Sequence, residues 1–504
     1  MTFRKSKLMA LIMCLTLLFT ALTPAASALS CGGDTTVPTV ENGESIFSGL
    51  KDVNSAEDFK DNAAKVFYNS LNKVVEGLVK MISAIIPAPK SWINKADYDD
   101  SDVLKGRSVY ATEAKEDNEW SLGYASRSLV PADIDEGKYY LGRDLTNRMA
   151  KGVYDDMRIR VAAIDDGSGE GLTVIGAIDA LGVNSTDIRA IREGVLKAFE
   201  NTGLKISGIN IMSTHSHSAL DTQGVSTEFF YKLFTASYVN LFNIKNQDRL
   251  KNADYFKNYF IEQSVIAVKE AINAMEPGKL YFSEVDVSQY VRDKRGLIAK
   301  EDIPKVASMK FVPASGEAST YLTDFSCHPT SFSASNGLVS SDYIYFLDKY
   351  IAAHDNGAHL VFFQGALGQL SRDGLEVDTS SMSEWDAKGA STKAYGEKFG
   401  ELVLAADYSE ELAPVLNEKH ATIWLYPTNS ILLLACKINL VNQQVFYDGL
   451  KKCIASETGY IEFGHRVGFA LFPGEFYPET FWGHEIIGDT TWDGTQWPYE
   501  TPHN

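Results

Sequence analysis

Residues 171–215 read GLTVIGAIDALGVNSTDIRAIREGVLKAFENTGLKISGINIMSTH, which is the pattern of two strands joined by a helix. Its two ends are apolar runs of strand length, whereas apolar residues between Ile188 and Phe199 recur at helical spacing. Ser185 or Thr186 is expected to cap that helix. Because two strands joined through a helix pair in parallel, the stretch predicts a βαβ unit.

The same pattern returns later in the chain. STYLTDFSCH (319–328) predicts a strand, SDYIYFLDKYIAAHDNG (341–357) a helix, and AHLVFFQGALGQLS (358–371) a strand that runs into a glycine-bearing turn. Two such units predict an α/β fold. We expect a mixed, largely parallel sheet with helical cover and a site at the carboxyl ends of its strands.

The bulk composition excludes one class of partner. The chain has 504 residues, 45% of them hydrophobic, and a formal net charge of -19. This length suits two to four domains or one large α/β domain with insertions. Nucleic-acid binders need clustered Lys and Arg, so we expect no nucleic-acid partner. The sequence identifies no protein partner either.

Residues 1–28 have the pattern of a cleaved signal peptide. A basic segment precedes a short apolar run, and Ala26-Ser27-Ala28 offers a small-residue cleavage site. The run is short for a bilayer span, which makes a signal anchor the weaker alternative. We therefore expect a secreted or cell-surface protein, and Cys31 is an alternative site for a lipid anchor.

Residues 29–104 are predicted to form a linker and a helical extension. Apolar residues recur at helical spacing between Ser55, a candidate cap, and Pro87, which ends the run. We expect this helix to pack on the main body, because its face is not basic enough for a typical membrane-surface helix. The main domain is predicted to span residues 105–504.

The cysteines argue against a zinc–thiolate cluster. Cys31, Cys327, Cys436 and Cys453 show no CxxC spacing. In an exported protein Cys436 and Cys453 could form a disulfide, and buried free thiols are an equal alternative.

Polar residues with catalytic chemistry follow several predicted strands. His215, His217, His328, Ser371 and Glu475 each stand just past a strand, the last of them after HRVGFAL. The carboxyl ends of strands in open α/β sheets are where ligand sites form. We therefore expect these five side chains to lie near one another.

The His-x-His pair is a candidate metal site. In an extended segment His215 and His217 would point to the same face. Two imidazoles, a third histidine and a carboxylate are a reasonable zinc shell with one position open for water or substrate. The alternative is a hydrogen-bonded polar pair at a strand end.

Four segments resemble motifs of the neutral/alkaline ceramidase family, and they occur in the family's order. STHSHS is similar to its Thr-His-Thr-His-Ser segment, and CHPTSFSASNGLVSSDY to its His-x-Thr-Ser-Met and Asn-x-Leu-Ile-Ser-x-Asp segments. ALGQLSRD resembles its Leu-Gly-Asp-Val-Ser-Pro-Asn segment, and FPGEF its Pro-x-Glu-Phe segment. These segments cover residues 213–218, 327–343, 366–373 and 472–476.

The resemblance implies a zinc enzyme that hydrolyses the amide of N-acyl sphingosines. By position, His215, His328 and Glu475 would be zinc ligands, with one zinc ion per chain. His217 would lie beside them as a supporting or substrate-contacting group. Ser371 would be the nucleophile. The resemblance at the last position is looser: Arg295 in RDKRG would contact the substrate oxygen, and a solvated surface charge is the alternative there.

This sequence departs from the family at several positions. Gln369 and Arg372 replace an Asp and a Pro around the serine. The family's tyrosine ligand lies in a Gly-Tyr segment well beyond the glutamate, and Tyr477 and Tyr499 stand in no such segment. The family's C-terminal β-sandwich is not seen. Three interpretations remain open: a fragment, a site with fewer ligands, or lost activity.

The sequence therefore predicts a secreted, zinc-dependent amidohydrolase acting on ceramide or a related N-acyl lipid, with peripheral membrane contact through that substrate. The alternative, from a different functional class, is a catalytically impaired, surface-exposed binding protein with the same fold.

Overall fold

The computed structural model describes most of residues 73–471, with gaps. The described residues are 73, 77–84, 86, 88–100, 104–142, 148–224, 251–294, 296, 299–303, 305–332, 337–365, 370–427, 430–437 and 444–471. The predictions for the signal peptide, Cys31, Arg295 and Glu475 lie outside them.

The described residues contain seventeen strands, five bounded α-helices and a further helical segment at residues 77–84. The helices are α1 (Ser185–Phe199), α2 (Lys251–Asn273), α3 (Tyr343–His354), α4 (Glu384–Leu404) and α5 (Ser430–Lys437). The strands are β1 (Trp120–Ser128), β2 (Gly152–Val153), β3 (Arg158–Asp165), β4 (Leu172–Ile178), β5 (Ile206–Ser213), β6 (Glu276–Val285), β7 (Val291–Asp293), β8 (Val306–Pro313), β9 (Thr320–Phe325), β10 (Leu338–Val339), β11 (His359–Gln364), β12 (Leu370–Arg372), β13 (Glu410–Glu411), β14 (Leu416–Leu425), β15 (Val445–Asp448), β16 (Lys451–Phe463) and β17 (Val467–Leu471).

Both predicted βαβ units are confirmed. β4, α1 and β5 form the first, and β9, α3 and β11 form the second, with parallel pairing in each. The cap of α1 differs from the prediction. The helix begins at Ser185 with Asn184 as its N-cap residue, and Asn184 makes no side-chain capping hydrogen bond. In α3 the Asp342 side chain accepts from the Tyr343 amide and caps the helix.

The prediction of a largely parallel sheet is wrong. The main sheet has nine strands in the described residues, in the order β11-β9-β8-β6-β1-β3-β4-β5, with β13 beside β6. Along this path β4–β5 and β11–β9 pair in parallel, and the other neighbours are antiparallel. The intervening strands form hairpins and long-range pairs, which need no helical crossover. The α/β class with a mixed sheet is confirmed.

The main sheet bends back on itself between β1 and β6. These two strands pair only over Trp120–Leu122 and Glu276–Gly278. Beyond that corner β11 lies against β3, β4 and β5, although it stands at the other end of the strand order. The ring of Tyr124 on β1 stacks on that of His359 on β11, with centroids 4.2 Å apart. The sheet therefore has two halves that face each other.

Helices cover the outer faces of the two halves. α1 and α2 pack on β1, β3, β4 and β5 through one buried cluster, and α3 and α4 pack on the other half through a second. Between the halves lies a third apolar cluster, to which β11 contributes Val361 and Phe363. Alternate residues Leu360 and Phe362 face the helices. Burial on both faces explains the uninterrupted apolar run of this strand.

A second sheet packs at the edge of this core. It contains β14, β15, β16 and β17 in antiparallel pairing. The strand predicted before Glu475 is present as β17, but it belongs to this sheet and not to the main one. Ile461 and Val467 join the inner apolar cluster.

A buried polar group ties β14 to the main sheet. The Glu418 carboxylate accepts from Asn210 at 2.8 Å and from Ser207 at 2.9 Å, and it also accepts from Thr173. The His420 ring nitrogen lies 2.6 Å from it. A buried carboxylate with this many partners fixes the position of β14 relative to β4 and β5.

Two smaller predictions, for the helical extension and for the cysteines, can be compared with the structure. Residues 77–84 are helical, and Val79 and Ile82 are buried, as expected for that part of the extension. Cys436 is a buried free thiol, so the alternative of a disulfide with Cys453 is wrong. Within the described part of the chain, the helices are too short or too polar to cross a bilayer.

Candidate metal centre

His215 lies on a sharp turn that follows β5. Its φ is 64°, in the left-handed region that few residues other than glycine adopt. The turn is held by two backbone bonds, from Thr214 N to Ile178 O at 2.9 Å and from Ser216 N to Ala180 O at 3.1 Å. His215 is fully buried. The expected extended geometry is wrong here, and the turn, not strand alternation, brings the pair of imidazoles together.

His328 follows β9 and is held by one carbonyl group. Its backbone N donates to Leu370 O at 3.1 Å, and its ring Nδ1 lies 3.0 Å from the same oxygen. In the same way, Nδ1 of His215 lies 3.0 Å from the carbonyl oxygen of Leu181. Each ring orientation is therefore set by a backbone group that belongs to a different segment.

The structure brings the three predicted histidines into one group. The ring centroid of His215 lies 4.8 Å from that of His217 and 5.1 Å from that of His328. The ring centroids of His217 and His328 lie 6.0 Å apart. Candidate ligand nitrogens of all three lie within 4.8 Å of one another. His215 comes from one half of the sheet and His328 from the other, so the bend of the sheet creates the site.

Two of the imidazoles are neutral with a fixed tautomer. A carbonyl oxygen only accepts, so Nδ1 of His215 and of His328 must carry the proton, which leaves the lone pair on Nε2. Burial and the nearby His328 lower the pKa of His215 to about 3. Burial lowers the pKa of His328 to about 4, and the charge of Lys294 acts in the same direction.

This donor set fits a zinc ion. Neutral imidazole nitrogen is a preferred zinc ligand, and backbone acceptors on the opposite ring nitrogen are the usual support. A tetrahedral zinc with bonds of about 2.1 Å separates its ligand atoms by roughly 3.4 Å. The widest separation in the group, 4.8 Å, exceeds this, so ring rotation must accompany binding by all three.

Ser371 lies next to the contact that holds His328. It is buried, 7% exposed, and directly follows Leu370. The prediction that Ser371 stands in a turn is wrong. It lies in the short strand β12, opposite Arg292 of β7. Antiparallel pairing with β7 fixes the position of its backbone.

The groups that hold the histidine residues in place were not predicted from the sequence. Carbonyl groups such as those of Leu181 and Leu370 leave no sequence signal, because any residue supplies one. Ser340 and Asp342 did leave a signal, since Ser and Asp before an apolar helix favour caps and side-chain-to-backbone bonds. The predicted Arg295 and Glu475 lie outside the described residues, so their positions relative to the histidines stay predictions.

Comparison with known proteins identifies the fold. No protein-family profile matches the sequence, and no curated protein matches it. The solved structure of neutral ceramidase from Pseudomonas aeruginosa is similar, with a TM-score of 0.52 and 15% identity, over 69% of this chain and 61% of that chain. A ceramidase complexed with C2 gives a TM-score of 0.47 and 18% identity, over 61% of this chain and 47% of that chain.

The first of these similarities agrees with the resemblance found in the sequence motifs. The chain covers 61% of the length of the Pseudomonas aeruginosa protein, so the comparison concerns part of that molecule. At 15% identity the likeness shows the fold alone. On this basis, the described chain has the fold of the neutral ceramidases.

Proposed function

We propose that this protein is a zinc-dependent amidohydrolase that cleaves the amide bond of N-acyl sphingosine or a related N-acyl lipid. One observation carries the proposal. Three histidines that the sequence places in ceramidase-like motifs converge within 4.8 Å on a ceramidase-like fold. Convergence of motif residues from two distant segments is not expected of residues that serve only local hydrogen bonding.

We propose that His215 and His328 bind the metal through Nε2 and that Glu475 is the carboxylate ligand. The lowered pKa values of both histidines support this, because a ligating imidazole must be unprotonated. When bound, zinc would act as a Lewis acid on the amide carbonyl.

The remaining groups would perform the acyl transfer. We propose that the Ser371 hydroxyl attacks the amide carbonyl carbon and forms an ester, while its proton passes to His217 and then to the departing amine. Water then hydrolyses the ester and restores the serine. Arg295 would stabilise the developing negative charge on the carbonyl oxygen.

We also propose that the protein is exported and reaches its lipid substrate from the outer side of the cell. The signal pattern of residues 1–28 supports export. An N-acyl sphingosine partitions into membranes, so peripheral contact with a bilayer is expected during turnover.

The test is metal content together with hydrolysis of a fluorogenic N-acyl sphingosine. We expect about one zinc per chain and zinc-dependent turnover, with both lost in His215→Ala and His328→Ala. A metal-free, well-folded protein without amidase activity would instead support the binding-protein alternative.

A further inference from the structure

Residues 340–343, Ser-Ser-Asp-Tyr, run from the end of β10 to the first residue of α3. All four are fully buried. They contact two segments: residues 214–218 around His215 and His217, the first histidine turn, and residues 327–332 around His328, the second histidine turn. We propose that this clamp segment is a positioning device that sets the separation between His215 and His328. The proposal rests on the proposed function, since a metal site is what would need that separation.

The clamp segment holds the turn that carries His215 and His217. Ser340 N donates to Ser218 O at 2.9 Å, and the hydroxyl of Ser216 donates to Ser340 O at 3.0 Å. Ser216 and Ser218 flank His217 on both sides, and Ser216 directly follows His215. The first histidine turn is therefore fixed at two points around its imidazoles.

The other end of the clamp segment holds the residues around His328. The Phe332 amide donates to Asp342 Oδ2 at 2.7 Å, and the Tyr343 hydroxyl donates to Cys327 O at 2.7 Å. Cys327 directly precedes His328, and Phe332 follows it by four residues. The second histidine turn is thus held on both sides as well.

The clamp segment is itself anchored to the first half of the sheet. Asp155 accepts from the Ser340 hydroxyl at 2.5 Å and from the Ser341 amide at 2.6 Å. The Ser341 hydroxyl donates to Asp179 at 2.8 Å, and Asp179 pairs with Arg160 at 2.7 Å. Because Asp155 lies just before β3 and Asp179 directly after β4, the clamp segment connects the second histidine turn to the half of the sheet that carries the first.

The backbone of Asp342 indicates that its side chain is needed. Its φ of 60° and ψ of -148° lie in a region that glycine adopts readily and other residues adopt only with strain. Its two carboxylate oxygens accept from two amides, those of Phe332 and Tyr343, the latter at 2.8 Å. A glycine would relieve the strain and lose both bonds, and an asparagine oxygen could replace only one.

The experiment compares Asp342→Gly and Asp342→Asn with wild type and with Asp166→Asn as control. Asp166 is a fully buried carboxylate at the opposite end of β3 from Asp155, where it accepts from the Leu416 amide at 2.8 Å and pairs with Arg107 at 2.7 Å. Three properties are measured: thermal unfolding, zinc affinity by competition with a chromogenic chelator, and the visible spectrum of the Co²⁺ form. Crystal structures of metal-free wild type and variants would give the separation of the His215 and His328 ring centroids, which is 5.1 Å in the computed structure.

We expect Asp342→Gly to fold, to bind zinc roughly 10- to 100-fold more weakly and to show an altered Co²⁺ spectrum and a wider ring separation. Asp342→Asn should fall between it and wild type, and Asp166→Asn should keep the wild-type zinc affinity, Co²⁺ spectrum and ring separation. Unchanged zinc affinity and an unchanged ring separation in Asp342→Gly would overturn the proposal.

A second variant covers the case in which Asp342→Gly does not fold. Ser216→Ala removes the bond to Ser340 O and a longer one, of 3.5 Å, from the Ser218 amide. It should weaken zinc binding several-fold and displace His215, whereas wild-type behaviour would contradict the clamp role. The two proposals also fail separately. If wild type binds no zinc, the proposed function is wrong, and the ring separations of the metal-free proteins still decide the role of the clamp segment.

Discussion

The imidazole of His328 and the carbonyl group of Leu370 are joined by a contact of 3.0 Å, and Leu370 is the residue directly before Ser371. The same carbonyl oxygen accepts from the His328 amide at 3.1 Å. A single peptide group therefore sets the orientation of a predicted ligand and the position of the predicted nucleophile. Movement of β12 would disturb both at once.

This relationship predicts that Ser371→Ala separates metal binding from catalysis. Removal of the hydroxyl should lower turnover by roughly 10³-fold or more, as expected for a nucleophile. The Leu370 carbonyl and His328 are untouched, so zinc content should stay at the wild-type level. Steady-state rates on a fluorogenic N-acyl sphingosine and zinc analysis measure the two effects.

Ser264→Ala is the matched control. Ser264 is fully buried in α2 and donates to Phe260 O within its own helix. Its variant should keep wild-type rates. Wild-type turnover in Ser371→Ala would remove this serine from the mechanism.

The three histidines should differ in how much each contributes to zinc binding. His215→Ala and His328→Ala each remove a proposed ligand, so zinc affinity should fall by more than the roughly 100-fold expected for a supporting residue. His217→Ala should weaken binding by only about 10- to 100-fold if it supports the site and carries protons. Chelator competition gives the three affinities, and loss of zinc in His217→Ala as complete as in His215→Ala would make His217 a third ligand.

The buried carboxyl of Asp155 should make stability depend on pH. Burial raises its pKa to about 8, although the hydrogen bonds from Ser340 and Ser341 act to lower the pKa. Between about pH 4 and pH 8 the folded state holds a proton that the unfolded state releases, so wild-type stability falls as pH rises. The stability of Asp155→Asn relative to wild type should increase over this window, by up to about 1.4 kcal/mol per pH unit.

Denaturant unfolding at several values between pH 5 and pH 9 measures this difference. Asp355→Asn is the control. Burial raises the pKa of Asp355, but bonds from Tyr321 and Lys310 outweigh it and the net pKa is lowered. Its difference from wild type should be constant above pH 5. A constant difference for Asp155→Asn as well would contradict the prediction.

Gly208 should be required for the contact between the two sheets. A methyl group there would overlap the Glu418 carboxylate, which is fully buried and held by Ser207 and Asn210. Displacing it leaves buried polar groups unsatisfied, so Gly208→Ala should destabilise the fold by about 2–4 kcal/mol.

Thermal or denaturant unfolding provides the measurement, and Gly77→Ala provides the comparison. Gly77 lies in the helical segment 77–84 with open space around its Cα, so alanine there should be neutral or slightly stabilising. Equal stabilities of the two variants would show that Glu418 can move without loss.

Local patterns in the sequence were enough to predict the two βαβ units. Apolar spacing from Ile188 to Val195 and the run LVFF before Gln364 depend on near neighbours in the chain, so they are visible in the sequence. The pairing of β1 with β6 joins segments about 150 residues apart, and no local pattern encodes it. The sheet was therefore expected to be open and largely parallel, and its bend was missed.

The candidate site, like the fold, could be predicted only in part. The histidines were found from their motifs, but the reason that they meet was not. The left-handed turn at His215 depends on backbone bonds to residues after β4, and His328 depends on the Leu370 carbonyl. Contacts to backbone groups carry no residue identity, so sequence alone could not place either ring.

A zinc titration of the metal-free protein, followed by hydrolysis of a fluorogenic N-acyl sphingosine, tests whether this protein is a zinc-dependent amidohydrolase. We expect activity to rise in proportion to added zinc and to stop rising at about one equivalent per chain, and we expect no such rise in His215→Ala. Activity that is independent of zinc, or no hydrolysis at one bound equivalent, would contradict this expectation.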